Sequence, residues 1–313
     1  MRLFVANTDA AWAAFLAREP GLDEANFWRP SGQAGFKALG FGEPLVFKLK
    51  KAHGHAIVGF GLFAAFRRMS VAEAWGAFGR ANGTATRDEM WARVARYAFG
   101  RAAPYDPRHA VGCLLLASPV FFPPEMWVDG PSDWADQTVV GKTYDAATGE
   151  GRRIWRDCLD RAALVAPALD VSAGAAVAEP GERYGAATLV RPRLGQQTFR
   201  YAVEAAYGQC AVTGEHSRPA LDAAHIVPFA RDGLHDVCNG ILLRADVHRL
   251  FDAGYVTVTP DYRFRVGDQL RADFSNGRSY YPLDGQRIAL PADPRFRPDP
   301  ALLERHGAET FLG

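Results

Sequence analysis

An α+β fold in two domains is what this sequence predicts, and three observations predict it. Strand-type runs at residues 3–6, 43–50 and 55–63 share the first half of the chain with helix-type spacings such as Trp12, Phe15 and Leu16. Residues 170–192 are rich in Ala, Gly, Glu and Pro, which is the composition of a linker. The length of 313 residues suits about two domains. The expected division is a first domain at 1–165, a linker at 166–195 and a second domain at 196–313.

The elements follow in order. Residues 3–6 make a short strand ending at Asn7, after which Thr8 or Asp9 can cap a helix with Trp12, Phe15 and Leu16 on its apolar face. Residues 24–32 read as a polar loop holding Asn26 and Trp28. Two strong strands, 43–50 and 55–63, come next, and Ser70 opens a helical run with Val71, Ala74, Trp75 and Phe78. Residues 111–120 and 138–143 read as strands, and 151–169 as a helix that closes the domain or bridges to the next. Beyond the linker, residues 198–207 are helical. Residues 221–229 form a strand that Pro228 ends, Arg231-Asp232-Gly233 is a turn, and 241–243 is a second short strand. From Ala245 the pattern is helical, with Val247, Leu250 and Phe251 on one face and Gly254 as the stop. Residues 291–300 are extended, and 301–311 form a last short helix.

Composition narrows the function classes. With 36 basic and 35 acidic residues the formal charge is +1, so any contact with DNA has to use local patches. No run of eighteen apolar residues is present, and the start Met1-Arg2-Leu3-Phe4 lacks a cleavable signal pattern, which predicts no membrane association. Cys113, Cys158, Cys210 and Cys238 have no CxxC spacing, so neither a structural zinc nor a disulfide framework is expected, and the cytoplasm is the expected setting. All five lysines precede residue 143, and Lys48, Lys50 and Lys51 with Arg67 and Arg68 form the densest basic cluster. Arg67 and Arg68 are the candidates for contact with a DNA backbone.

Three polar residues stand out in the second half. His225 lies on the first strand, Asn239 on the loop before the second, and His248 on the helix. That order of strand, loop, strand and helix, with those residues, resembles the HNH endonuclease family, whose fold is the ββα-metal finger. The resemblance covers residues 196–290, including the flanking Cys210-Ala211-Val212-Thr213-Gly214. It implies a metal-dependent hydrolase of DNA phosphodiesters, with one divalent ion, Mg or Mn, and Ni, Co or Zn as alternatives. Such chemistry needs a base to activate water and a cation to offset charge on the phosphate. By resemblance His225 is the base, His248 a metal ligand, and Asn239 the residue that braces the loop and orients the base. Many members carry an acid or histidine directly before the base, where this chain has Ala224. Asp222, on the same face by strand alternation, is the expected replacement ligand. Asp252, one helical turn beyond His248, is placed to orient that imidazole.

The first half resembles the PUA superfamily, and within it the EVE and YTH-like domains that bind modified nucleobases. The residues that carry the resemblance are the strand 4–7, the helix 9–16, the Trp-bearing stretch 26–31 and the strand pair within 45–63. It implies a PUA-like β-barrel or sheet with flanking helices that takes up a flipped base between aromatic rings. Trp28 is the first candidate wall and Trp75 the second; Asn7 and Asn26 are candidates to bond a base edge. The regular helical spacing of Trp12 and Trp91 marks them as packing residues. Together the two resemblances imply a modification-dependent (type IV-like) restriction endonuclease. Its substrate would be double-stranded DNA carrying modified cytosine, with a homodimer as a route to cutting both strands. The alternatives are an HNH endonuclease without modification dependence and a non-catalytic DNA-binding protein with a degenerate finger.

Overall fold

The computed structural model describes residues 1–32, 35–167, 169, 171–172, 189–190, 194–228 and 236–313. Contacts divide the chain into two compact units, Met1–Thr198 and Phe199–Gly313. The expected turn at residues 231–233, and most of the expected linker, lie outside the described residues.

The first unit is built on one mixed sheet. Its elements are β1 (Arg2–Thr8), α1 (Ala10–Leu16), β2 (Glu24–Arg29), β3 (Pro44–Leu49), β4 (Ile57–Ser70), α2 (Val71–Phe78), α3 (Arg87–Phe99), β5 (Ala110–Phe121), β6 (Gly141–Asp145) and α4 (Gly149–Val165). A two-residue pair, β7 (Val171–Ser172) and β8 (Leu189–Val190), follows. The six long strands lie in the order β2-β5-β4-β3-β1-β6. β1 and β3 run parallel, and the other neighbours are antiparallel.

Strand alternation gives this sheet two buried faces. Leu3 and Val5 of β1 enter one core with Ile154, Trp155 and Leu159 of α4. Phe4 and Ala6 enter the other with Trp12 and Leu16 of α1 and with Phe47 and Leu116. Asp9 caps α1 by accepting from the Trp12 N–H, and Ser70 and Glu73 form a capping box at α2. Trp12 and Trp91 are buried, as helical spacing implies.

Two expectations are corrected here. The sheet does not close into a barrel among the described residues: β2 and β6 are its edges, and with helices on both faces neither face needs closure. The stretch around Trp28 is not a loop but strand β2, hydrogen-bonded along β5 from Glu24↔Ala117 to Arg29↔Gly112. Its polar residues read as a loop because an edge strand keeps one side open to solvent.

The division between the units falls within α5 (Gln196–Tyr207). The second unit continues with β9 (Leu221–His225), β10 (Gly240–Arg244), α6 (Ala245–Asp252), β11 (Val256–Val258), β12 (Phe264–Val266), α7 (Gln269–Phe274) and α8 (Pro300–Glu309). Its core joins Ala224 and Ile241 of the β9–β10 pair to Val247 and Phe251 of α6 and Leu303 of α8. α8 is fastened by His306, whose ring stacks on Phe251 at 3.8 Å, while its Nδ1 lies 2.9 Å from the Thr257 hydroxyl and its Nε2 3.2 Å from the Phe251 carbonyl. A carbonyl can only accept, so Nε2 carries the proton and Nδ1 takes the Thr257 hydrogen. Burial pushes His306 down to about 4, keeping this tautomer neutral. Among the described residues no helix is long and apolar enough to cross a membrane.

Candidate functional site

The ββα element of the second unit collects most of the candidates. β9 and β10 pair antiparallel, with His225 opposite Gly240, Ala224 opposite Ile241 and Asp222 opposite Leu243. Gly240 has a steric reason to follow Asn239: a Cβ there would lie 2.5 Å from Val203 Cγ2 and 3.0 Å from the Phe199 ring. That space belongs to α5, whose Phe199 stacks on His225 at 4.0 Å with ring planes 12° apart.

Asn239 is buried, and its amide is fully directed. Oδ1 accepts from the Val227 N–H and Nδ2 donates to the Val227 carbonyl, both at 2.9 Å, while its own carbonyl accepts from Ile226. Asn239 therefore fixes the backbone of the two residues after His225. Asn239→Ala would strand two buried backbone groups, so it should destabilise the second unit by roughly 2–4 kcal/mol and lower any activity that needs a fixed His225. Thermal unfolding checks this; an unchanged melting temperature would contradict the bracing role.

α6 starts directly after β10. Arg244 donates twice to Asp246, at 2.6 and 2.7 Å, and Tyr280 donates to the same carboxylate, which the Arg244 bonds hold down to about 2. Val247 and Phe251 turn inward, and His248 and Asp252, each the next residue along, share an adjacent stripe of the helix one turn apart. The His248 ring lies between two carboxylates. Its Nδ1 is 3.4 Å from Asp222 Oδ2 and its Nε2 is 3.2 Å from Asp252 Oδ2. Burial raises the Asp252 carboxyl, His248 draws it back, and the charge of Asp222 pushes it up again.

The alternation around Ala224 is visible in this geometry. Ala224 is fully buried against the α6 side of the pair, and Asp222, two residues earlier, reaches His248 along that same side. His225 alternates to the other side, where Phe199 stacks on it. The structure thus brings Asp222, His248 and Asp252 together, and it joins Asn239 to the backbone beyond His225. Among the described residues no group of three or more His, Cys, Asp or Glu side chains is arranged to hold a metal ion. The donor chemistry of Asp222, His248 and Asp252 nonetheless suits a divalent cation. Two carboxylates share one imidazole, so the negative charge exceeds what that ring can balance, and oxygen with imidazole donors suits Mg, Mn or Zn.

The first unit holds an aromatic cavity of about 540 Å³, within the usual range for small-molecule sites. Trp28 and Tyr97 form walls, their ring centroids 6.5 Å apart, and Asn7, Lys50 and Val139 also line it. Trp28 Nε1 donates to the Asn82 carbonyl at 3.0 Å, which fixes the indole. Tyr97 donates to Asp9; burial and that carboxylate push the phenol up to about 12. Sequence reading missed Tyr97, although it lies off the buried stripe Met90, Trp91, Val94 and Ala95 of α3, and an aromatic in that position is a readable signal.

Other candidates are placed differently from expectation. Asn7 lines the cavity but its amide is committed: Nδ2 donates to the Thr138 and Val139 carbonyls and Oδ1 accepts from Lys48. Asn26 is fully buried, because alternation on β2 turns it inward, where it donates to Asn82 and Cys113. It cannot reach a base. Trp75, on α2, is not among the residues lining the cavity. Arg67 and Arg68 lie within β4 rather than past its end, opposite Cys113 and Gly112, so their side chains leave from opposite faces and make no single phosphate track. Lys48 is buried rather than solvated, because β3 lies between β4 and β1.

No curated protein matches the chain. Among solved structures, it is similar to a Tyr-to-Phe variant and a Ser-to-Ala variant of ZmASCH from Zymomonas mobilis. Each is 11% identical with a TM-score of 0.29, over 49% of this chain and 94% or 92% of theirs. A likeness of that size carries no argument about fold or function. The family described as HNH endonuclease matches residues 210–259, the stretch that carries Asp222, His225, Asn239, His248 and Asp252.

Proposed function

We propose that this protein is a modification-dependent DNA endonuclease, in which the first unit binds a modified cytosine and the second hydrolyses a phosphodiester bond. The observation that carries the nuclease half is the meeting of Asp222, His248 and Asp252 in a segment that matches the HNH endonuclease family. His225, at the end of β9 with the backbone beyond it held by Asn239, is the base that takes a proton from the attacking water. Asp222 and His248 would hold one divalent ion, magnesium or manganese, which when bound supplies charge stabilisation at the phosphate and leaving oxygen. Asp252 orients the His248 ring.

The reader half rests on the aromatic cavity. A flipped cytosine placed against Trp28 and Tyr97 would gain roughly 1–3 kcal/mol per base from stacking, against a few kcal/mol of unstacking. Trp28→Ala should therefore lose most of a preference for modified over unmodified duplex of about 10- to 100-fold, since each ~1.4 kcal/mol is a factor of ten. It should keep the salt-sensitive binding to the DNA backbone. Binding titrations of the full chain with metal chelated, across several cytosine modifications, test this. Equal affinity of the wild-type protein for modified and unmodified DNA would reject the reader role.

A second reading has one observation in its favour. The position before His225 is Ala224, which is fully buried and offers no ligand. A finger that binds DNA without cutting it would show no metal-dependent nicking of plasmid under any divalent ion.

A further inference from the structure

A second cavity of about 360 Å³ adjoins the aromatic one, and Asn7, Lys50 and Val139 line both. Lys48, Lys51, His55, Trp134 and Asp136 are also among its walls. Lys48 is 1% exposed. Its ammonium donates to the Leu49 carbonyl at 2.9 Å and to Asn7 Oδ1 at 3.3 Å, and sits 4.4 Å over the Trp134 ring. No carboxylate pairs with Lys48 or Lys50 among the described residues; Lys50 instead lies over Tyr97 at 5.2 Å. Lys51 pairs with Asp136 at 3.1 Å, but both are exposed, and such a pair exchanges readily. Three lysines against one aspartate leave a surplus of positive charge along this recess.

A buried ammonium without a counter-charge costs several kcal/mol, and burial alone draws Lys48 below the ordinary lysine range. An arriving anion would offset that cost. A nucleotide is a flat ring joined through a sugar to a phosphate, and here an aromatic cavity opens beside a cationic one. We propose that the recess around Lys48, Lys50 and Lys51 is an anion subsite for the DNA backbone phosphate adjoining the nucleotide whose base occupies the Trp28 cavity. This rests on the base-reading role given above to that cavity. Lys48 supplies a fixed buried charge, Lys50 and Lys51 the direct contacts, and Asn7 the common wall that sets base and phosphate at one distance.

The test uses the full chain with metal chelated and a duplex carrying one modified cytosine. A neutral methylphosphonate is placed singly at each linkage flanking that nucleotide. One linkage should weaken wild-type binding about ten-fold, the worth of one charge-assisted contact. Lys50→Ala, at an exposed position, should cost a similar factor and make binding insensitive to that linkage. Lys48→Met, which keeps length and removes charge, should do the same provided its thermal unfolding matches the wild type. If the two penalties instead multiply, to about a hundred-fold in combination, lysine and phosphate act independently and the subsite is wrong. Should Trp28→Ala and the modification leave affinity unchanged while lysine and linkage stay coupled, the base-reading role fails and the anion site stands. Should modification and Trp28 matter but the coupling be absent, the anion site fails and the reader stands.

Discussion

Replacing His225 by alanine should abolish DNA cleavage while leaving the protein folded and able to bind DNA. A positioned general base contributes about 10²–10⁴-fold, so the residual activity should fall below detection in an ordinary plasmid-nicking assay. His225 is half-buried, it terminates β9, and its ring stacks on Phe199, a contact worth about 0.5–1.5 kcal/mol. The bonds that hold this corner come from Asn239 to the Val227 backbone and need no imidazole. Circular dichroism and a DNA-binding titration on the same preparation separate loss of chemistry from loss of fold. Near wild-type cutting in magnesium or manganese would remove His225 from the role of base.

The next largest effect is expected at the metal. His248→Ala and Asp222→Ala should each weaken divalent-ion affinity, by at least the 10- to 100-fold typical of groups that only support a ligand, since both are cast as direct ligands. Calorimetric titration of magnesium or manganese into each variant reads this without any cleavage assay. Affinity should also fall on acidification, because the ligands must be unprotonated to bind. Asp252, with its raised carboxyl, will protonate earlier in that descent than an ordinary aspartate. An unchanged metal midpoint in Asp222→Ala would reassign its place, and Asp252, on the other ring nitrogen of His248, would be the group to replace it.

The ββα element was readable because its signals are local. An apolar stretch ends at Pro228, Asn-Gly precedes a second short strand, and the spacing of Val247 and Phe251 sets which side of α6 His248 and Asp252 occupy. Each clue sits within a few residues of the side chain it places. The first unit was less readable because its cavity is assembled across the chain. Trp28 on β2, Tyr97 on α3 and Val139 before β6 meet only through tertiary packing. Burial misled at two polar residues that fold inward. Lys48 and Lys50 look like one solvated cluster, yet the first lies between two strands while the second is exposed. Asn26 looks like a free polar group in a loop, yet alternation on an edge strand sends it into the core. Closure of the sheet depends on which strands become edges, and no local pattern in β2 or β6 announces that.

The central claim, that cleavage depends on cytosine modification, is tested most directly by one comparison. The wild-type chain is incubated with magnesium or manganese and two preparations of the same plasmid, one carrying modified cytosines and one without them, and the initial rates of nicking are measured. The modified plasmid should be cut about 10- to 100-fold faster, in step with the binding preference assigned to the Trp28 cavity. Equal rates on the two plasmids, over several cytosine modifications, would contradict the account and leave only the reading of a nuclease that ignores the base.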